Sequence, residues 1–386
     1  MDLSIFFKPV DAGFESDKHS FQKTFDIHAL ETSFPDLEDI DIAIIGVEEE
    51  RAANDNEGCS EGPDEVRRFL YKLNVGGFSP RVVDLGNIKS GETIKDTYYA
   101  LTCTVETLIK RKILPIIIGG SQDLTFANYA AYQKMEQTVN LVSIDNQLDL
   151  GSSESGISDT TYLSKIILHQ PNFLFNFSNL GYQTYFVNQE SIELMSKLFF
   201  DASRLGQISG NVHESEPIIR NADMMSFDVS SIRMADAPGC KQTSPNGFNS
   251  QEACQMARYA GISDKLSSIG FYNYNPTFDN RGQTAHLLAQ MIWCVIEGYY
   301  QRKNDFPVRN SDEYLKYRVM LEDNKYELLF YKSKKSDRWW MDIPYPPNKR
   351  IQFERHHLVP CSYSQYEKAL ADEMPDSWWK TYQKLI

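Results

Sequence analysis

Carboxylates and carboxamides stand at regular spacing where two apolar runs of the sequence end. The stretch "VSIDNQLDL" places Asp145, Gln147 and Asp149 two residues apart, and "SFDVSSI" places Asp228 two residues before Ser230. Side chains alternate between the two faces of an extended chain, so each set is predicted to point to one side. Oxygen atoms of these kinds are the ligands of hard divalent cations. The spacing therefore predicts a carboxylate-rich site built from two strand ends.

A third apolar run ends in a similar way. In "IIIGGSQDLT", Gly119 and Gly120 directly follow the apolar residues and precede Ser121, Gln122 and Asp123. Ligand sites of open α/β sheets lie at the carboxyl ends of the strands. If the three runs form neighbouring parallel strands, the third brings its polar side chains to the same edge of the sheet as the carboxylates.

Short apolar segments alternate with helical patterns between residues 41 and 302, as expected of a parallel sheet that is buried on both faces. Helix candidates such as "GPDEVRRFLYKL" carry a proline in the first turn, where it is tolerated. The pattern predicts an α/β fold with a mostly parallel sheet. The predicted strands are 41–47, 81–86, 113–120, 139–145, 174–181, 223–229 and 266–272.

Composition divides the chain into three parts. Residues 1–40 are predicted to form an N-terminal extension, residues 41–302 the α/β domain, and residues 303–386 a small C-terminal α+β appendage. An appendage that packs on the main domain is favoured over a partner-binding surface, because exposed tryptophans in that number would promote aggregation. The tryptophans concerned are Trp339, Trp340, Trp378 and Trp379.

The charge and the cysteine content exclude several classes of protein. A formal net charge of -14 argues against a nucleic-acid groove and against a surface for anionic lipid. No apolar run reaches the roughly 18 residues of a membrane span, and the N-terminus lacks the pattern of a signal peptide. The 6 cysteines are scattered, which favours reduced thiols. We expect a cytoplasmic protein.

Taken together, these segments resemble the arginase–agmatinase–formimidoylglutamase (ureohydrolase) family. "GGSQD", "DNQLD" and "SFDVS" stand where that family carries G-G-D-H-S, D-A-H-x-D and S-F-D-x-D. "NEGCSEGPDEVRRFL", "APG" and "NGFNSQE" resemble its other signatures, in the same order along residues 41 to 300. "SDTTYLSKII" and "NLGYQ" are similar to segments of the formimidoylglutamase branch. The resemblance implies a three-layer α/β/α fold with an eight-stranded sheet of strand order 2-1-3-8-7-4-5-6.

The resemblance also implies six side chains that hold two manganese ions, and three of these positions are neutral here. Gln122 and Gln147 stand at the two histidine positions, and Ser230 stands at the position of an acid. Both imidazoles, which suit a transition metal, are thereby absent. We expect a degenerate site without a cofactor, and the alternative is one Mn²⁺, Mg²⁺ or Ca²⁺. The carboxylates that remain are Asp145, Asp149 and Asp228.

Three interpretations of this pocket stay open. The first is a pseudoenzyme that binds an unknown small molecule or protein partner and has no catalytic residue. The second is a hydrolase of linear amidines or guanidines, with a formimidoylglutamate-like substrate and an altered metal site. The third is a set of strand-end acids neutralised by Arg233, Lys241 or backbone N–H groups, which is compatible with the first. The resemblance also leaves a homo-oligomer open.

Glu252, Ser158 and Thr160 are candidate ligand-binding residues by the same resemblance. Glu252 aligns with a family glutamate that faces the guanidino or formimino group, and a carboxylate pairs well with such a fork. Equally, Glu252 can be a first-turn glutamate favoured by the helix dipole. Asp159 and Thr161 replace a glycine and a proline of the family pattern, and Asp159 would repel a glutamate-like anion.

Overall fold

The structure, a computed structural model, describes residues 2–13, 17–152, 156–307, 312–349 and 353–386. Its main element is a ten-stranded sheet in which all neighbouring strands run parallel except the short β1, which pairs antiparallel with β4. The strands of this sheet are β1 (Phe7–Lys8), β2 (Asp26–Ile27), β3 (Ile42–Val47), β4 (Val82–Ile88), β5 (Leu114–Ile118), β6 (Val139–Ile144), β7 (Leu174–Tyr182), β8 (Asp201–Arg204), β9 (Met224–Asp228) and β10 (Ser268–Tyr272).

The strand order confirms the expected topology. The order is β1-β4-β3-β5-β10-β9-β6-β7-β8, and β2 pairs with β4 beside this path. Without the two-residue strands β1 and β2, this is the 2-1-3-8-7-4-5-6 order that the resemblance implies. Of these eight strands, β8 alone was not predicted from the sequence, because it is a half-exposed edge strand without an apolar run; the short β1 and β2 were not predicted either.

Helices cover both faces of the sheet because its strands are apolar on both sides. Within β3, Ile42 and Ile44 belong to the core on one face, and Ala43 and Ile45 to the core on the other. The helices are α1 (Phe21–Thr24), α2 (Gly62–Leu70), α3 (Ile94–Lys110), α4 (Leu124–Lys134), α5 (Tyr162–Leu168), α6 (Gln189–Lys197), α7 (Leu205–Ile208), α8 (Glu216–Arg220), α9 (Ser250–Gly261), α10 (Gln283–Tyr300), α11 (Tyr363–Leu370) and α12 (Asp376–Leu385). In the described ranges, no helix combines the length and the apolar character of a membrane-spanning segment.

The C-terminal part forms a separate antiparallel sheet. Its strands, in sheet order, are β11 (Tyr314–Leu321), β12 (Tyr326–Ser333), β13 (Trp339–Asp342) and β14 (Leu358–Cys361). The turn between β11 and β12 is "EDNK", residues 322–325. Trp339, Trp340 and Trp378 are buried, whereas Trp379 is 40% exposed. Arg220 of α8, a helix of the main α/β part, contacts this second sheet. Its guanidinium donates to the Trp339 carbonyl oxygen at 3.2 Å and lies 4.5 Å from the Trp340 ring centroid.

Candidate functional site

Three aspartates gather at the carboxyl edge of the main sheet. Asp145 follows β6, Asp228 ends β9, and β6 and β9 are hydrogen-bonded neighbours. Asp149 returns to the same place, and its carboxyl group contacts that of Asp145. All three side chains are buried. The structure therefore brings together the three carboxylates that the sequence singled out.

The route by which they meet differs from the strand alternation expected from the sequence. The extended chain ends at Ile144, and Asp149 has a left-handed backbone with φ of 48°. Similarly, Ser230 lies in a short 3-10 helix, Val229–Ser231, and its backbone N–H donates to Asp228 Oδ1 at 2.6 Å. β6 ends at Ile144, one residue before Asp145, and β9 ends at Asp228 itself. The residues that follow each strand are therefore not extended, and they turn back towards the pocket. The expectation that a period of two places these side chains on one face was wrong.

Burying three neighbouring carboxylates is unfavourable for the stability of the fold. Burial raises the pKa of Asp145, and burial together with the Asp145 charge raises the pKa values of Asp149 and Asp228 well above normal. Neither expected counter-ion is engaged with them: Arg233 pairs with Asp236 at 2.9 Å, and the Lys241 ammonium lies over the Phe278 ring. A bound cation or shared protons must therefore balance the negative charge.

Hydrogen bonding separates the three acids into two kinds. Asp228 Oδ2 accepts from the Asn273 side chain at 2.7 Å, and its Oδ1 from the Ser230 amide. Asp145 Oδ1 accepts from the Gln147 amide at 2.8 Å. By contrast, Oδ2 of Asp145 and Oδ2 of Asp149 are buried and have no N–H or O–H donor among the described residues. Two carboxylate oxygens are thus left for another ligand.

The Gln122 side-chain nitrogen lies among hydroxyl groups. Its Nε2 lies 3.2 to 3.4 Å from the hydroxyl oxygens of Ser143, Tyr162 and Ser226. The nearby Gln122 side chain partly opposes the rise in the pKa of Asp145 that burial causes. Its backbone N–H bonds to the Asn273 oxygen at 3.1 Å. The residue at this family histidine position therefore acts as a hydrogen-bond donor.

Asp123 is hydrogen-bonded to residues outside the group of three aspartates. Its carboxyl group accepts hydrogen bonds from the hydroxyl groups of Ser121 and of Tyr98 in α3. Burial raises its pKa to about 7. This acid belongs to the contact between the β5 end and α3.

Gln147 and Thr160 border the cluster of three aspartates. Gln147, Asp149 and Thr160 line one cavity of about 200 Å³. Ser158 and Thr160 bond to each other through their hydroxyl groups at 3.2 Å, and Asn54 ties Thr160 to Asp159. This loop therefore closes one side of the pocket.

Glu252 caps the start of α9. Its Oε2 accepts from the Asn249 amide at 2.9 Å, and its Oε1 accepts from Ser209 Oγ at 3.0 Å and from the Gly210 amide at 2.7 Å. Oε2 thus caps α9, and Oε1 holds the segment that follows α7. With both oxygens engaged, Glu252 is better interpreted as a first-turn helix residue than as a ligand-binding one. The sequence did not single out Asn273, although it directly follows β10 and the strand-end argument would have found it.

The donor set fits one cation better than the pair of metal ions that the resemblance implies. Three carboxylates and two free oxygens suit a single cation with oxygen ligands. A pair carries four positive charges, and neutral Gln122, Gln147 and Ser230 supply no compensating charge or imidazole nitrogen. As they stand, no three His, Cys, Asp or Glu side chains of the described residues form a ready metal-binding cluster. Binding therefore requires the carboxylates to rearrange.

Solved structures of this fold include metal-bound proteins. A formiminoglutamase of Trypanosoma cruzi, solved with Mn²⁺, aligns with a TM-score of 0.62 at 21% identity and covers 69% of this chain and 95% of that one. The formimidoylglutamase of Bacillus subtilis aligns with a TM-score of 0.63 at 19% identity, over 70% and 91% of the two chains. These likenesses confirm the arginase-like α/β fold.

One expectation from the sequence is overturned by these comparisons. A protein without a cofactor was expected, but the relatives of this fold, with a Mn²⁺-bound formiminoglutamase among them, point to a dimanganese cofactor. The expectation that a cofactor is absent was therefore wrong.

Sequence comparison gives the same assignment over most of the chain. The formimidoylglutamase of Staphylococcus epidermidis (strain RP62A) is 24% identical over 288 residues, which are 70% of this chain and 92% of that protein. The model of the arginase family matches residues 40–297. These residues include all three strand ends of the site. The chain belongs to the arginase family.

Proposed function

We propose that this protein is a cation-binding member of the arginase family in which the hydrolytic activity is lost or greatly reduced. The observation that carries the proposal is the pair of buried oxygens, Asp145 Oδ2 and Asp149 Oδ2, that lack a hydrogen-bond donor among the described residues. Together with Asp228 they form a buried carboxylate cluster, and no basic side chain of the described residues forms an ion pair with it. Such a cluster favours the binding of one divalent cation.

The reduced activity follows from the three neutral positions. A divalent cation bound there would act as a Lewis acid towards a water molecule. Changes at residues that merely orient metal ligands already cost about 10–100-fold in activity or affinity. Replacement of three ligands, at Gln122, Gln147 and Ser230, is therefore expected to cost more. The protein would then act by binding a ligand or a partner, and its free thiols suit a cytoplasmic location.

An active hydrolase of linear amidines or guanidines is the second candidate. It is favoured by the match to a formimidoylglutamase over 92% of that protein's length and by the three carboxylates that remain. Glu252 aligns with the family glutamate that faces the amidine, but both its oxygens are engaged: Oε2 accepts from the Asn249 amide at the start of α9, and Oε1 accepts from the Gly210 amide. This engagement weighs against the second candidate.

An activity assay separates the two candidates. The full chain is loaded with Mn²⁺ and incubated with N-formimidoyl-L-glutamate, arginine or agmatine, and the release of formamide or urea is measured. The expected turnover is more than about 100-fold below that of the Staphylococcus epidermidis relative assayed in parallel. Turnover comparable to the relative, abolished by Asp228→Asn, would establish the hydrolase and reject the proposal.

A further inference from the structure

A second cavity, of about 500 Å³, lies at the opposite edge of the main sheet from the three aspartates. Its lining includes Leu114 at the start of β5, Gln137 just before β6, and Ser267 just before β10. These are amino ends of strands, whereas the aspartates lie at carboxyl ends. Phe306 and Arg355 close the cavity from the C-terminal part, outside the residues 40–297 that match the family model.

Basic side chains dominate this cavity although the whole chain is acidic. Among the described residues, one acidic side chain, Asp264, lines it, against four basic ones: Lys112, Lys265, Arg302 and Arg355. The chain as a whole carries a formal charge of -14. A local excess of positive charge in such a chain is a feature of this cavity and not of the surface in general.

Two of the basic groups share a single acid. Arg355 Nη2 lies 2.7 Å from Asp223 Oδ1, and Lys265 Nζ lies 3.7 Å from Asp223 Oδ2. Lys265 Nζ also donates to Asn221 Oδ1 at 3.0 Å, and its side chain is only 10% exposed. Asp223 balances one of the two charges, so one positive charge remains in a mostly buried position.

Arg302 is held mainly by neutral groups. Its Nε donates to the Gly261 carbonyl at 2.9 Å, its Nη2 donates to the Leu266 carbonyl at 3.1 Å, and its guanidinium lies 4.3 Å from the Tyr299 ring centroid. Burial lowers its pKa to about 10, although Asp264 opposes this change. The Asp264 carboxylate itself accepts from the backbone amides of Asn304 and Asp305. With Asp223 and Asp264 counted against the four basic side chains, two positive charges remain in excess.

Apart from Gln137 and Ser267, the rest of the described lining is apolar or aromatic. Ile109, Ile113, Leu114, Leu266, Tyr299 and Phe306 surround the basic groups. A fully hydrated inorganic ion would leave this surface without a partner. An anion attached to an apolar body would fill both parts of the cavity.

We propose that this cavity binds a small organic dianion of the phosphate-monoester type. The phosphate contacts Lys265, Arg302 and Arg355, the exposed Lys112 adds its positive charge to the attraction, and the apolar body packs against Phe306 and the strand starts. Two negative charges match the two excess positive charges, and guanidinium groups are suited to phosphate oxygens. The site is independent of the carboxylate pocket and of the proposed function.

Calorimetry on the full chain with phenyl phosphate tests this inference. Phenyl phosphate is expected to bind with a millimolar or lower Kd, more tightly than inorganic phosphate, and phenol is expected not to bind. Lys265→Met should weaken binding by about tenfold or more, because a charge-assisted contact is lost. The exposed Lys112→Ala should weaken it without a risk to folding, and Lys325→Ala, in the distant β11–β12 turn, should leave it unchanged.

Three results would overturn the inference. They are no binding of phenyl phosphate by the wild-type chain at millimolar concentration, binding no tighter than that of inorganic phosphate, and equal binding by Lys112→Ala and the wild type. Circular dichroism of each variant establishes that it is folded. If Lys265→Met is unfolded, Lys112→Ala decides the outcome.

Discussion

Asp228 Oδ2 accepts a hydrogen bond of 2.7 Å from the side-chain amide of Asn273. The oxygen of the same amide accepts from the Gln122 backbone N–H at 3.1 Å, so one asparagine links the ends of β5, β9 and β10. Asp145 and Asp149 have no such donor at Oδ2 among the described residues. A cation is therefore expected to bind first at these two carboxylates, while Asp228 stays hydrogen-bonded.

Asp149→Asn should stabilise the metal-free protein. The substitution removes one of the mutually repelling buried charges, and asparagine tolerates the left-handed backbone at this position. In the presence of a chelator, the melting temperature is expected to rise by roughly 2–4 °C. Added Mn²⁺ should stabilise the wild type and not the variant.

Asp55→Asn is the matched control for this experiment. Asp55 also has a left-handed backbone, with φ of 57°, but is exposed. Its substitution should leave the melting temperature unchanged with or without Mn²⁺. A fall in the melting temperature of metal-free Asp149→Asn would contradict the repulsion between the carboxylates.

Restoring the family ligands should restore a stronger metal site. The combined substitutions Gln122→His, Gln147→His and Ser230→Asp add two imidazoles and one carboxylate. Mn²⁺ affinity measured by calorimetry is expected to rise by at least about 100-fold. The control carries the same changes at exposed positions, namely Gln189→His, Gln251→His and Ser33→Asp. No gain over this control would mean that the three strand ends are wrongly aligned with the family motifs.

Glu252→Ala tests whether Glu252 is a structural residue or a ligand-binding one. Its carboxylate accepts from the Asn249 and Gly210 amides and from Ser209 Oγ. Loss of these bonds is expected to reduce the free energy of unfolding by about 1–3 kcal/mol and to leave Mn²⁺ affinity unchanged. The exposed neighbour Gln251→Ala serves as control. Unchanged stability in urea denaturation would reject the capping role.

Much of the fold was predictable from the sequence, since each buried strand is a short apolar run. The same signal failed for β8, whose residues "DASR" are polar and half-exposed at the sheet edge. The contact between Asp145 and Asp149 was predictable only in outline. The left-handed backbone of Asp149 depends on the loop as a whole, and no periodicity extends beyond Ile144.

Counter-ions were the least predictable feature of the site. Arg233 was a candidate partner for the aspartates but pairs with Asp236, three residues further on. Lys241 lies over an aromatic ring. Side-chain partners of long flexible residues depend on loop geometry, which no local pattern in the sequence specifies.

A buried ion pair between α2 and β4 is expected to contribute strongly to the free energy of unfolding. Arg67 donates from Nε and Nη2 to the two oxygens of Asp84 at 2.8 and 2.9 Å, and both residues are fully buried. Arg67→Met leaves the Asp84 charge uncompensated and should cost about 3–5 kcal/mol in urea denaturation. Arg68→Met, which removes an exposed pair with Glu65, should cost less than about 1 kcal/mol. Equal effects of the two substitutions would contradict the importance of burial.

The number of Mn²⁺ ions bound per chain distinguishes a site for one cation from a paired manganese centre. The wild-type chain and the Asp145→Asn variant are each equilibrated with excess Mn²⁺ and then freed of unbound metal. Native mass spectrometry of each sample gives the number of Mn²⁺ ions that stay bound per chain. About one Mn²⁺ per wild-type chain is expected, and the variant is expected to lose that ion. About two ions per wild-type chain would contradict a site for one cation.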